Sequence, residues 1–238
     1  MTLAEFFGCA FLAFGPPLAM FCYTISDSPI KIILLIFSSF LWLLALLLSS
    51  IIWFIFIPLK SYLIFGVVVS VLIQEAFRFI VYKLLDKTSA GLEELAGNSL
   101  VIHNKTVLAY VSGLGFGIIS GLFQSVNILA DALGPGTMGL KSGSEMFFLT
   151  SATMALCIIL LHTFWSIIFF DGIHHRNKAH LSFVILSHLF FSITTLLNSS
   201  EIYSLTIILS VINVILTMCF AFKIVGGTFE KLKRCIIC

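Results

Sequence analysis

The chain has 238 residues, of which 60% are apolar and 10% charged, with a formal net charge of +2 and a mean hydropathy of +1.14. Soluble domains carry about 25% charged residues, so too little polar chain remains for one, and the composition is that of an integral membrane protein. Six cysteines, Cys9, Cys22, Cys157, Cys219, Cys235 and Cys238, are scattered along it, and no pair among them suggests a metal site.

The hydropathy pattern predicts an all-α, polytopic membrane protein, a single domain over 1–238 with seven spans. Each span meets the requirement of about 20 apolar residues. The first, 6–26, is too long for a signal-peptide core, and no Lys or Arg precedes it. Pro16 and Pro17 lie inside it, which predicts a kink or unwinding in mid-membrane. The second, 32–57, carries no charge. The third, 63–85, contains Gln74, Glu75 and Arg78. The polar stretch 86–106 reads as a mobile loop from its Ser, Gly, Glu, Asn and Lys content.

The fourth span, 107–133, has an unusual face. At about 100° per residue, Gly113, Gly117, Ser120, Gly121, Gln124, Asn127 and Asp131 share a sector of about 120°. Glycines four apart allow close backbone approach where lipid gives no hydrophobic drive. Gln124 and Asn127 are costly against lipid and are expected to face protein. This face is expected to be the seam on which partners dock, with Phe116 lying off it. Gly134-Pro135-Gly136 then stops the helix. The fifth span is 146–170, the sixth 181–197 after a charged turn, and the seventh 202–222. A basic tail follows, ending in Cys235-Ile-Ile-Cys238, which is spaced like a prenylation box without a usual terminal residue.

Lys and Arg set the orientation. Sorted by alternate connections, one side receives Lys31, Arg78, Lys83, Lys87, Lys105, Arg176, Lys178, Lys223, Lys231, Lys233 and Arg234, and the other only Lys60 and Lys141. This predicts a lumenal or extracellular N-terminus and a cytosolic C-terminus.

Further polar groups sit inside the membrane. Glu75 and Arg78 are three apart, on one helix face. At 1.5 Å per residue from the cytosolic ends, Glu75, His162 and His188 lie about 10–15 Å deep and can share one layer. Two readings stay open. In one, the groups tie the bundle together; in the other, Glu75 activates water while the histidines orient it or stabilise an oxyanion. The second geometry resembles intramembrane CAAX-processing proteases, whose motif has two adjacent glutamates followed by an arginine. Here Gln74 stands at the first position and Arg78 is one residue closer. No His-Glu-x-x-His helix supports zinc, and no two aspartates share a mid-membrane depth for aspartyl catalysis.

Several segments, in order along the chain, carry a resemblance: Phe6-Phe7-Gly8-Cys9 with Ala13-Phe14-Gly15-Pro16; Gln74-Glu75-Ala76-Phe77-Arg78; AYVSGLGFGIISG over 109–121; NILADALGPGTMGL over 127–140; ILLHTFWSIIFFD over 159–171; Ser187-His188-Leu189; and Gly226-Gly227-Thr228. The chain resembles the anterior-pharynx-defective subunit of γ-secretase. The resemblance implies a non-catalytic seven-helix scaffold without cofactor or metal. It implies three partners: presenilin, which holds the catalytic aspartates, nicastrin, and the presenilin enhancer subunit. The implied complex cleaves type I membrane proteins such as Notch and amyloid precursor protein, and resides in endoplasmic reticulum, Golgi, plasma membrane and endosomes. Assembly roles are implied for Gly113, Gly117 and Gly121 and for His162 and His188, and the Glu75 layer is implied to be the relic of a lost active site.

Overall fold

The computed structural model describes residues 3–56, 63–95, 104–132, 146–200 and 202–228, with side chains for all of these but 3, 89–95, 126–132, 146 and 199. Among the described residues there is no strand, and seven helices are long and apolar enough to cross a membrane. They are α1 (Leu3–Thr24), α2 (Pro29–Ile55), α3 (Leu63–Leu95), α4 (Lys105–Ala132), α5 (Met146–His174), α6 (Lys178–Thr194) and α7 (Tyr203–Ile224). A 3-10 turn, Thr195–Ser200, joins the last two. Cys235, Cys238 and the basic residues after 228 lie outside the described residues.

The helices are unequal in role. In α5, 78% of the most apolar stretch is buried inside the protein, against 11% in α1. α5 packs most extensively on α4 and also touches α1, α6 and α7, while α2 covers the other flank of α4. α3 leans on α2 and α6 and barely reaches α4.

Small residues allow close backbone approach on two flanks of α4. A methyl group added to Gly117 would stand 2.5 Å from the Ile159 carbonyl oxygen, and one on Gly113 would stand 2.8 Å from that of His162. On the opposite flank, a methyl on Gly115 would lie 2.5 Å from the Leu35 carbonyl oxygen, and the Ser39 hydroxyl donates to the Gly115 carbonyl at 2.9 Å. α4 is therefore clamped between two backbones, one on each face.

Three expectations from sequence need correction. α1 does not unwind at Pro16 and Pro17 but passes through them as one continuous helix; in a bilayer, unwinding would free more backbone groups than the two missing N–H groups already do. α3 does not stop at 85 but continues to Leu95, because hydropathy marks where a helix leaves lipid, not where it ends. Residues 86–95 of the loop expected at 86–106 are thus helix, and Asn104 caps α4 by accepting from the Thr106 and Val107 N–H groups at 3.0 and 3.3 Å.

The α5–α6 connection is a Schellman turn. The Asn177 N–H donates to the Gly172 carbonyl at 2.8 Å and the Arg176 N–H to the Ile173 carbonyl at 3.2 Å. Arg176 takes the left-handed position at φ 54°, where glycine is usual. Asn177 then caps α6 through the Ala179 N–H at 3.0 Å.

Candidate intramembrane polar site

α3 presents Glu75 and Arg78 on one face, three residues apart, and both are almost wholly buried. Arg78 grips the carboxylate with two N–H groups: Nε donates to Oε2 at 3.0 Å and Nη2 to Oε1 at 3.2 Å. This fork geometry is what guanidinium supplies and ammonium does not. Nη1 reaches across to α5, donating to the His162 carbonyl at 3.1 Å and to the Ser166 hydroxyl. The guanidinium lies 5.3 Å from the centre of the Phe116 ring.

The two histidines use Nδ1 in opposite senses. Arg78 Nη2 stands 2.8 Å from His162 Nδ1. Guanidinium has donors only, so this nitrogen accepts and the His162 proton resides on Nε2. His188 Nδ1 stands 2.7 Å from Glu75 Oε1, and against a carboxylate it donates. The rings meet edge to face at 5.2 Å, and His188 stacks on Trp165 at 4.4 Å.

The network continues outward. Trp165 Nε1 donates to the Ser187 hydroxyl at 3.0 Å, which donates to Asn213 Oδ1 at 2.8 Å. Asn213 Nδ2 donates to the Ser187 carbonyl at 3.1 Å. On the other side Trp42 Nε1 donates to Gln74 Oε1 at 3.1 Å, and the Gln74 amide donates to Ser70 at 3.1 Å. Every helix from α2 to α7 thereby contributes a side chain to the polar layer or its lining. Hydrogen bonds between membrane helices are worth roughly 0.6–2 kcal/mol each.

Beside this layer opens a cavity of about 510 Å³, lined by Trp42, Gln74, Ser120, Gln124, His162 and His188 among others. Its wall extends to Trp53, Leu63 and Thr195, at the end of the bundle opposite the basic residues. Chemically, the layer is a buried ion pair with two imidazoles at the edge of a cavity. Both Glu75 oxygens are already accepting, and Gln74 cannot act as a second carboxylate.

A model of the Aph-1 family, described as Aph-1 protein, matches residues 4–228. The chain is 56% identical to the γ-secretase subunit Aph-1 of Drosophila melanogaster over 238 residues, the full length of both. The chain belongs to the Aph-1 family. It is also 48% identical to the γ-secretase subunit APH-1B of Homo sapiens, covering 100% of this chain and 95% of the relative. With the γ-secretase subunit APH1-like protein of Arabidopsis thaliana it shares 33% identity over 83% of each.

In this Aph-1 chain the sector read from the fourth span divides. Gly113, Gly117 and Gly121 face α5 of the same chain, so the seam expected to receive partner helices is filled from within. Ser120 and Gln124 line the cavity. The side chains of Asn127 and Asp131 lie outside those described. Glu75, Arg78, His162 and His188 do share one layer. Phe116, placed off the seam, is buried against Arg78 and His162, because the far side of α4 faces protein as well. Sequence reasoning missed Trp42, Trp165, Ser166, Ser187 and Asn213. Ser166 was findable as the residue four after His162, on the same face, and Asn213 as an amide in mid-span.

Proposed function

We propose that this chain is a non-catalytic scaffold subunit of a γ-secretase complex, holding presenilin and nicastrin together with the presenilin enhancer subunit. The full-length likeness to proteins named as γ-secretase subunits supports membership. The observation that carries the non-catalytic part is the pairing of Glu75. A general base must reach the water it activates, and here Glu75 is buried, accepts from Arg78 and His188, and is not among the residues lining the cavity. The glycines and histidines act in assembly by fixing the shape of this chain: Gly113, Gly117 and Gly121 set the α4–α5 distance, and His162 and His188 tie α5 and α6 to α3. The complex resides in endoplasmic reticulum and Golgi and, assembled, at the plasma membrane and endosomes, where it cleaves proteins such as Notch and amyloid precursor protein.

The test is purification of the tagged chain in mild detergent. Three membrane partners in single copy, one of them carrying intramembrane aspartates, are expected to co-elute. Recovery of the chain alone, folded and active on a membrane peptide, would overturn the scaffold reading. A second reading, glutamate-type intramembrane hydrolysis by Glu75, His162 and His188, draws on the cavity that reaches both imidazoles.

The orientation belongs to the same proposal, with the N-terminus lumenal. Asn104-Lys105-Thr106 and Asn198-Ser199-Ser200 both fit the glycan acceptor pattern. Asn104 is expected to stay bare because it is cytosolic and caps α4. Asn198 is expected to stay bare because it is held half-buried in the 3-10 turn against the membrane. Mass spectrometry finding a glycan on Asn104 would reverse the orientation.

A further inference from the structure

We infer that the α5–α6 turn and the end of α7 form a binding surface for the phosphate headgroup of an anionic phospholipid. Three exposed cations carry this: Arg176 in the turn, Lys178 at the start of α6 and Lys223 in the last turn of α7. None of the three forms an ion pair among the described residues, whereas Lys31 is paired with Asp27 and Lys105 with Asp86. The one acid in the turn is already taken. Asp171 Oδ1 stands 2.9 Å from His175 and Oδ2 stands 2.8 Å from His180, so neither carboxylate oxygen is turned to the cations.

The two helix ends are level with each other. His180 packs edge-on against Phe220 at 5.1 Å and Phe183 against the same ring at 4.8 Å. Lys178 is two residues before His180, and Lys223 is one helical turn beyond Phe220. Below this rim the outer faces of the same two helices are apolar and open, with Leu186 64% and Met218 44% exposed. A phosphate at the rim and acyl chains along these faces match one molecule, a phospholipid, better than a free anion. Arg176 adds a backbone argument. It occupies a left-handed position that glycine fills at lower cost, and strained residues kept at a surface turn point to a function for the side chain. Guanidinium offers phosphate a fork of donors, and each lysine adds a point charge. The leaflet expected to face this rim is the anionic one. That last point rests on the orientation proposed above; headgroup binding itself does not.

The test uses the full chain, with the subunits that co-purify, in nanodiscs of phosphatidylcholine doped with phosphatidylserine. Both leaflets are identical there, so the result is independent of orientation. Lipid retained per protein after mild-detergent extraction is measured by mass spectrometry. The wild type should enrich phosphatidylserine over its fraction in the disc. Removing cations should lower its affinity about fivefold each, so Arg176→Gly with Lys178→Gln and Lys223→Gln should abolish the enrichment. Arg176→Gly alone relieves the left-handed strain, so its expected single-step loss cannot come from misfolding; thermal unfolding no lower than wild type checks this. Lys60→Gln with Lys141→Gln should retain the enrichment. No enrichment by the wild type, or equal enrichment by the triple variant, would overturn the proposal.

Discussion

Gly117→Leu is expected to lower the thermal stability of the chain and, with it, the yield of assembled complex. The first atom added would lie 2.5 Å from the Ile159 carbonyl oxygen and 2.9 Å from Ile159 Cα. These are backbone atoms that cannot swing aside, so α4 and α5 must separate. Overpacking a tight contact costs about 1–3 kcal/mol. A leucine against backbone belongs at the upper end, and lost dispersion along Gly113 and Gly121 adds to it. A total near 3 kcal/mol is on the order of a hundredfold in the folded population. Gly117→Ala meets the same atom with less bulk and should be milder but not silent. The control is Gly8→Leu, since an added carbon there meets nothing within 4 Å; it should leave unfolding of the isolated chain unchanged. Phe116→Leu is no neutral control, because that ring supports Arg78 and His162. Full stability of Gly117→Leu with loss of partners would return the glycine face to the role of a docking seam.

Arg78→Met should have an effect of similar size. It leaves the Glu75 carboxylate buried with His188 alone, and strips the donors from the His162 carbonyl, His162 Nδ1 and Ser166. Breaking one side of a buried ion pair typically costs about 3–5 kcal/mol, while replacing both sides with groups of similar volume costs far less. The double variant Glu75→Gln with Arg78→Met is therefore expected to unfold at a higher temperature than Arg78→Met alone. Strictly additive losses would show that the two residues do not act as a pair.

The parts legible in the sequence were those where chemistry conflicts with lipid. A glutamate and an arginine three apart and two histidines at matching depth are costly in a bilayer, glycines at a spacing of four leave room for another backbone, and each marked a real contact. What covers each face was not legible. Hydropathy scores a leucine alike against lipid and against protein, so α5 gave no sign of being the central helix, although its span is more than twice as buried as that of α2, 78% against 33%. For the same reason the glycine face could be seen to be a contact without showing that α5 makes it. Gly115 was passed over because it sits on the opposite flank, where its tight approach to Leu35 depends on a helix about eighty residues earlier in the chain. Trp165 and Ser187 looked like ordinary span residues; only the fold brings them to His188 and Asn213. The end of α3 was misplaced because a helix that leaves the membrane keeps its hydrogen bonds in water.

The central claim is that the polar layer shapes the chain and performs no chemistry. Glu75→Gln tests it most directly, because the amide keeps the volume and loses the charge. Complexes carrying wild type and Glu75→Gln should be purified through the proteolytic subunit and matched for amount of assembled complex. The rate of substrate cleavage per complex is then measured. The account predicts a lower yield of complex and an unchanged rate for each complex formed. A fully assembled Glu75→Gln complex that no longer cleaves would contradict it.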